Sequence, residues 1–234
     1  MKNQYFGDER DYVKYGLLRC FAQVGWRIGV CWMLTPDDSS GHGGRISYLR
    51  REDEWRQHDP FLFDTLKRSV GAGAPRCISI AYADSFIPQA QFFAEQVPDE
   101  KDARNDWLNR AFEGLSGSDL LFFDPDIGLE ATASPSGRKR STKHLYRSEI
   151  KRAWNQGASL LIFQFFRVPN DSFATEAAAR LHKEVPTAVV TTFRTTNVLF
   201  LLAYQPQHRS KVKAGLRLVK TKWKERISIR SFTP

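Results

Sequence analysis

Apolar residues recur at helical spacing near the start of the chain. Val13, Leu17, Phe21 and Val24 follow one another at intervals of three or four residues, and Gly25 fits the end of a helix. The same kind of pattern predicts further helices over residues 61–70, 86–97, 101–115, 148–157, 171–185 and 207–218. Helices are thus predicted along the whole chain.

Short apolar runs rich in β-branched and aromatic residues predict the strands. They cover residues 27–34, 77–84, 119–124, 159–166, 187–194, 197–205 and 226–232, and 187–194 and 197–205 are expected to form a hairpin. Strands that alternate with helices predict an α/β fold, a three-layer αβα sandwich with a mainly parallel sheet and a C-terminal antiparallel hairpin. Residues 1–234 are interpreted as a single α/β domain with a basic C-terminal segment at about 206–234.

Composition narrows the class of protein. The chain has 234 residues, of which 41% are apolar, enough for the core of one α/β domain. No apolar run approaches the roughly 18 residues of a membrane span, and the N-terminus lacks the apolar centre of a signal peptide. Cys20, Cys31 and Cys77 form neither a zinc pattern nor a paired disulfide framework. We expect a cytoplasmic protein that does not partner a membrane.

The net charge of +9 is concentrated in two places. Between Arg209 and Arg230 the only acid is Glu225, and a second basic cluster lies within residues 137–147. Two basic patches favour a polyanionic partner over the alternative of a solvated basic surface, and we expect that partner to be nucleic acid, with DNA preferred to RNA. Candidate contacts to the nucleic-acid backbone are Arg138, Lys139, Arg140, Lys220, Lys222 and Lys224.

Acidic residues follow two predicted strands. Asp124-Pro125-Asp126 ends the strand at 119–124, and Asp37 lies in the Gly-rich loop after the strand at 27–34. In a parallel sheet these positions reach the edge where ligands bind. Paired carboxylates there can activate water, stabilise a developing cation or bind a divalent metal. The alternative is an Asx-turn that merely ends a strand.

Other polar side chains are candidates for substrate binding. The turn "GDERDYVKYG" is interpreted either as part of a site or as a helix cap with an Asp11–Lys14 pair. Gln164 offers an amide that can read a base edge, and Arg167 offers a fork for phosphate. The full set of candidates is Asp8, Asp11, Tyr12, Lys14, His42, Lys143, His144, Tyr146, Gln164 and Arg167. The histidines have no zinc-binding spacing, so no metal is assigned.

Two of these segments resemble adenine methyltransferases that act on large-subunit ribosomal RNA. Those enzymes begin with G-N-x-x-D-x-x-K-H, which Gly7, Asp8, Asp11, Lys14 and Tyr15 would match, and they carry D-P-P-[FY], which residues 124–126 would match in part. The resemblance implies S-adenosylmethionine as cofactor and a base amine as methyl acceptor. The sequence departs from it in two places: "LTPDDSSGHGG" replaces the family's Gly-rich cofactor turn, and Asp126-Ile127 replaces the second proline and the base-stacking aromatic.

A second resemblance is to the strand and loop of the uracil-DNA glycosylase superfamily, carried by "WMLTPDDSSGHGG". It implies base flipping and hydrolysis of the glycosidic bond without a cofactor. The leading hypothesis is therefore a DNA glycosylase-type hydrolase with Asp124, Asp126 and Asp37 as catalytic residues, and a role in phage defence is a conjecture from size and type. The alternatives are an S-adenosylmethionine-dependent DNA or RNA methyltransferase, a metal-dependent nuclease, and a non-catalytic nucleic-acid-binding module.

Overall fold

A computed structural model describes residues 1–38, 43–71, 75–83, 86–130, 141–166 and 171–232. Its helices are α1 (Glu9–Ala22), α2 (Glu52–Trp55), α3 (Pro60–Gly71), α4 (Ile80–Ala83), α5 (Lys101–Gly114), α6 (Arg147–Asn155), α7 (Asp171–Glu184) and α8 (Arg209–Trp223). Its strands are β1 (Ile28–Cys31), β2 (Gln91–Phe93), β3 (Leu120–Phe123), β4 (Gly128–Leu129), β5 (His144–Leu145), β6 (Ser159–Phe165), β7 (Val189–Arg194), β8 (Val198–Tyr204) and β9 (Ser228–Phe232). No helix in these ranges is long and apolar enough to cross a membrane.

The main sheet has seven strands in the order β2-β1-β3-β6-β8-β7-β9. Strands β2, β1, β3 and β6 pair in parallel, whereas β8 runs antiparallel between β6 and β7. Strand β9 extends the antiparallel end of the sheet. The predicted α/β class, the mainly parallel sheet and the closing β7–β8 hairpin are therefore confirmed.

Helices cover both faces of the sheet because successive side chains of a strand point to opposite sides. Leu120 and Phe122 of β3 belong to one hydrophobic core with residues of α1, α3 and α8. Leu121 and Phe123 belong to a second core with residues of α5, α6 and α7. Strands buried on both faces read as unbroken apolar runs, and β3 and the first part of β6 have that character.

The prediction for residues 77–97 was wrong. Residues 77–84, expected as a strand, contain the short helix α4, and residues 86–97, expected as a helix, contain the strand β2. Strand β2 has only three residues, and it forms because Gln91–Phe93 pairs with Gly29, Val30 and Cys31 of β1. That pairing is tertiary, so local apolar spacing could not reveal it.

Helices α1 and α8 approach each other closely through glycines. A Cβ at Gly16 would lie 2.0 Å from the Trp223 ring, and one at Gly215 would lie 2.6 Å from the Phe21 ring. The basic C-terminal segment is thus part of the core, since α8 packs on α1 and β9 joins the sheet. This packing fixes α1, whose N-terminal half reaches the carboxyl edge of the sheet.

Strand β1 lies at the point where the chain changes direction across the sheet. Its neighbours β2 and β3 lie on opposite sides of it. The connection from β1 to β2 therefore runs in one direction across the strands, and the connection from β2 to β3 runs in the other. In open α/β sheets such a switch point opens a crevice beyond the carboxyl ends of the strands, where ligands bind.

Candidate ligand site at the carboxyl edge of the sheet

A cavity of about 610 Å³ lies at this crevice. It is lined by the N-terminal half of α1, the turn Asp124-Pro125-Asp126 after β3, the segment Gly43–Arg45, and Phe163 and Phe165 of β6. This volume falls in the range of small-molecule sites, about 300–1,000 Å³. The cavity unites two segments singled out in the sequence, the 7–15 turn and the 124–126 turn.

Lys14 joins these two segments. Its Nζ lies 2.7 Å from Oδ1 of Asp11 and 2.6 Å from Oδ2 of Asp124, a residue 110 positions away. Burial opposes the charge on Lys14, but the two carboxylates outweigh it and raise the pKa of the ammonium above its ordinary value. Burial raises the pKa of Asp124, against the attraction of Lys14. The expected Asp11–Lys14 pair is present, and Asp124 completes a buried charge network.

Asp8 is the N-cap of α1. Its Oδ1 accepts from the backbone N–H of Arg10 at 2.9 Å and of Asp11 at 3.0 Å. Asp8 also lines the cavity, so it is both the cap of α1 and a residue of the candidate site. Burial, followed by repulsion from Asp11, raises the pKa of Asp8 to about 7.

Replacing Asp8 by asparagine is expected to change how stability depends on pH. A carboxyl whose pKa is raised on folding stabilises the fold below its unfolded pKa, and this stabilisation is lost as pH rises towards about 7. Because asparagine caps a helix as well as aspartate does, the stability of Asp8→Asn should gain about 1–3 kcal/mol on that of the wild type between pH 5 and pH 8. Urea unfolding at both pH values measures this difference.

A matched control is Glu100→Gln at the N-cap of α5. Glu100 caps through the backbone N–H groups of Asp102 and Ala103, and these bonds lower its pKa. It titrates below pH 5, so its replacement should leave the change in stability between pH 5 and pH 8 as in the wild type. If Asp8→Asn retains the wild-type change as well, the assigned ionisation of Asp8 is wrong.

Asp126 lies beside the amino group of Met1. Its Oδ1 is 2.7 Å from that nitrogen, an ion pair without hydrogen-bond alignment, and its Oδ2 accepts from Thr35 Oγ1 at 2.8 Å. Burial works against ionisation of Asp126, yet the amino group and Thr35 lower its pKa. The same amino group donates to the backbone carbonyls of Met33 at 3.1 Å and Asp124 at 3.0 Å. Two carbonyls and a carboxylate thus form a binding site for an ammonium group.

Met33 has a backbone conformation that its residue type does not predict. Its φ of 47° is in the left-handed region, which non-glycine residues rarely adopt. It lies just after β1 and is fully buried, and its carbonyl accepts from the Met1 amino group. Strained backbone of this kind clusters at functional sites. Sequence reasoning missed Met33 because nothing in "VCWMLT" indicates a left-handed residue.

Aromatic side chains of β6 form part of the cavity wall. Phe163 is 7% exposed, and Phe165 is half-buried with the guanidinium of Arg10 5.0 Å from its ring centroid. Sequence reasoning missed both because the run "LLIFQFF" was assigned to a buried strand. Their position near the carboxyl end of β6 was the available signal.

Two predicted substrate contacts, Tyr12 and Gln164, do not line the cavity. The Tyr12 hydroxyl donates to the Trp55 carbonyl at 2.8 Å, and its ring packs against Tyr48 and Trp223 in the core, away from the cavity. The Gln164 amide donates to the Ile127 carbonyl and accepts from the Leu129 N–H, so it braces the loop after Asp126. Both side chains satisfy buried backbone groups and leave no free edge for a nucleotide.

Most of the other candidates lie elsewhere. Asp37 is exposed and accepts from the Gln4 N–H at 3.2 Å, so the structure does not place it in the cavity lining with Asp124 and Asp126. His144 and Tyr146 are buried beside Arg104, which donates to the His144 carbonyl and lies over the Tyr146 ring. Lys143 is half-buried, and its charge helps to lower the pKa of Asp126. His42, Arg138, Lys139, Arg140 and Arg167 lie outside the described residues.

Helix α8 carries a row of exposed cations. Arg209, Lys213, Arg217, Lys220 and Lys224 are exposed and recur at intervals of three or four residues along about 22 Å of helix. None of these five residues forms an ion pair with another described residue. Lys222, the third predicted contact on this segment, instead donates to Gln23 Oε1 at 3.0 Å. We call this row the α8 basic stripe.

The fold and the cavity define the class of protein: a doubly wound α/β protein with a cavity at the switch point of its sheet. Within the described ranges no group of three or more His, Cys, Asp or Glu residues is placed to hold a metal ion.

No family model matches the chain, and no curated protein matches its sequence. Among solved structures, protein LPL1258 from Legionella pneumophila, described by the family model DUF519, is similar at 13% identity and a TM-score of 0.46, over 97% of this chain and 98% of that one. Human methyltransferase-like protein 13 in complex with SAH is similar at 11% identity and a TM-score of 0.36, over 91% and 90% of the two chains.

Proposed function

We propose that this protein is an S-adenosylmethionine-dependent methyltransferase that acts on a base of nucleic acid. The observation that carries the proposal is the Lys14 bridge between Asp11 and Asp124. It brings together, in one cavity, the two segments that resemble base methyltransferases.

The ammonium site at the end of β1 supports the choice of cofactor. The amino group of Met1 shows that the carbonyls of Met33 and Asp124, with the Asp126 carboxylate, accept a primary ammonium. S-adenosylmethionine carries such an ammonium on its methionine end, and that ammonium would take the place of the Met1 amino group at these residues. When bound, the cofactor supplies an electrophilic methyl group on a sulfonium sulfur. The left-handed Met33 would then point a backbone carbonyl into the site, at the place where the methyltransferases that the sequence resembles have a Gly-rich turn.

The remaining cavity residues suit a base amine. Phe163 and Phe165 offer aromatic faces on which a base can stack, in place of the aromatic absent at Ile127. Within the described residues Asp124 Oδ2 holds Lys14, while Oδ1 accepts no hydrogen bond. An amine that gains a methyl group must lose a proton, and Oδ1 of Asp124 would accept first a hydrogen bond and then that proton from the amine. Lys14 is then a positioning residue, which holds Asp124 in place.

The α8 basic stripe supports a polyanionic substrate. Helix α8 leaves the amino edge of the sheet after β8 and ends at the carboxyl edge, where the cavity opens. Exposed cations without acidic partners attract a phosphate backbone. The stripe would therefore hold nucleic acid beside the cavity.

Base excision stays a prediction, and the site favours it less. A hydrolase would need Asp124 or Asp126 free to activate water. Asp126 is bound by Thr35 and the Met1 amino group, which leaves only Oδ1 of Asp124 for that role. A metal-dependent nuclease would need Asp37 beside this pair, and Asp37 is outside the cavity lining.

The proposal is tested by methyl transfer to nucleic acid. We expect the protein to bind S-adenosylmethionine and to transfer its labelled methyl group to DNA or RNA. Asp124→Asn should lower the rate about 100-fold, because it weakens the acceptor for the amine, while the affinity for the cofactor changes less than about threefold. Calorimetry measures cofactor affinity, and label retained on the nucleic acid measures the rate.

The matched control is Asp37→Asn, which removes the same charge outside the cavity and should leave rate and affinity unchanged. A wild-type protein that binds no S-adenosylmethionine would overturn the proposal, as would an Asp124→Asn variant with the wild-type rate. Alkali-labile abasic sites formed without S-adenosylmethionine would establish base excision instead.

A further inference from the structure

Two arginines meet at the rim of the cavity. Arg10 is the second residue of α1 and is half-buried, whereas Arg45 lies in the segment after Gly44 and is exposed. With the Asn197 amide turned so that its oxygen faces them, that oxygen accepts from Arg10 Nη2 at 3.3 Å and from Arg45 Nη1 at 2.5 Å. Two guanidinium groups therefore converge on one neutral acceptor.

The convergence leaves positive charge without a matching anion. Neither arginine forms an ion pair with another described residue, and Nε of Arg10 is buried without a hydrogen bond. Asp8 is the acid with the strongest attraction for Arg10, but its Oδ1 already accepts two backbone N–H groups. Like charges this close repel, and the repulsion is relieved when an anion binds both.

The rim is also held in position. The Glu9 N–H donates to the Arg45 carbonyl at 3.0 Å, which ties the segment 43–46 to the start of α1. Gly43 has a φ of 92°, and a Cβ there would lie 2.4 Å from the Gln4 carbonyl oxygen, so only glycine allows this close contact. The guanidinium of Arg10 lies over the Phe165 ring, 5.0 Å from its centroid. The two guanidinium groups are thus preorganised, which favours tight binding of a small anion.

We propose that Arg10 and Arg45 form a phosphate site at the rim of the cavity, which takes the phosphate of the nucleotide whose base enters it. The inference rests on the proposed function and deepens it, because it makes a nucleotide, and not a free nucleoside, the unit that is recognised. Planar guanidinium forks match phosphate oxygens in pairs. Because Phe165 lies beside Arg10, a base stacked on Phe165 would have its phosphate close to Arg10.

The test compares nucleoside monophosphates with their nucleosides. We expect adenosine 5′-monophosphate, or whichever of the four common monophosphates binds best, to bind at least tenfold more tightly than its nucleoside. Arg10→Gln with Arg45→Gln should reduce that ratio to less than about threefold. The control Arg56→Gln with Arg110→Gln removes two exposed arginines that pair with Asp64 and Glu95, and should keep the full ratio. Calorimetry gives each affinity.

A second variant covers the case in which the double replacement fails to fold. Asn197→Asp places a carboxylate where the amide oxygen now meets both guanidinium groups. The protein would then supply its own anion, so we expect a higher unfolding midpoint together with loss of the preference for the monophosphate. A variant that is more stable and still prefers the monophosphate overturns the inference.

The outcomes separate this inference from the proposed function. The affinity for S-adenosylmethionine should change less than threefold in Arg10→Gln with Arg45→Gln. If that affinity falls tenfold while the monophosphate ratio stays, the anion is the carboxylate of the cofactor and the phosphate site is wrong. Equal affinities of the wild type for monophosphate and nucleoside also overturn it. If the wild type binds the monophosphate at least tenfold more tightly than the nucleoside but binds no S-adenosylmethionine, the phosphate site is upheld and methyl transfer is rejected.

Discussion

Lys14→Met is expected to destabilise the protein by about 3–5 kcal/mol, because it leaves buried carboxylates without their cation. The Lys14 side chain is 3% exposed, and those of Asp11 and Asp124 are each 2% exposed. Methionine fills much of the same volume, so the loss reflects charge more than packing. Lys14 lowers the pKa of Asp124 against the effect of burial, so without Lys14 that pKa rises further and the variant should lose more stability at pH 8 than at pH 5. Urea unfolding at the two pH values measures both effects.

The control for this prediction is Lys211→Met. Lys211 also pairs with an aspartate, Asp119 at 2.8 Å, but its side chain is 38% exposed, and such pairs contribute at most about 1 kcal/mol. A double variant, Lys14→Met with Asp124→Asn, should be more stable than the sum of the single changes indicates, because it removes one of the two stranded charges. Strict additivity would contradict the bridge that carries the proposed function.

Local patterns predicted most of the fold. Helices such as α1 and α5 showed apolar spacing with good caps, and the strands β3 and β8 and the first part of β6 were apolar runs. The pattern failed at residues 80–93, where a short helix and a three-residue edge strand carry too few residues to establish a period. Elements that exist only through tertiary pairing are the ones a single sequence hides.

Several residues of the site were predicted from the sequence, but the contacts between them were not. The sequence showed that Asp11 and Lys14 are helical neighbours and that Asp124 ends a strand, but the contact from Lys14 to Asp124 depends on how α1 packs over the sheet. Met33 and Asn197 carried no signal, since their importance lies in a backbone angle and in two distant arginines. Tyr12 and Gln164 misled because polar groups that brace buried backbone look like ligands in a sequence.

Gly128→Ala is expected to destabilise the protein by about 3–4 kcal/mol and to weaken the site with it. Gly128 has a φ of 134°, and a Cβ there would lie 2.3 Å from Gln164, whose amide bonds the backbone on both sides of the glycine. The cost combines about 1–3 kcal/mol of backbone strain with about 1–3 kcal/mol of overpacking. Relief of the clash must move Gln164 or residues 127–129, which follow Asp126. Affinity for S-adenosylmethionine should therefore fall together with stability in urea.

Gly157→Ala isolates the part of this effect that belongs to the site. Gly157 also has a positive φ, of 85°, but a Cβ there meets nothing within 4 Å, so strain alone, about 1 kcal/mol, should remain. Adding Gln164→Ala to Gly128→Ala should recover part of the overpacking, a non-additivity of at least about 0.5 kcal/mol. If Gly128→Ala costs no more than Gly157→Ala, the loop does not depend on the close approach of Gln164. In that case the position of Asp126 is determined by Thr35 and the Met1 amino group alone.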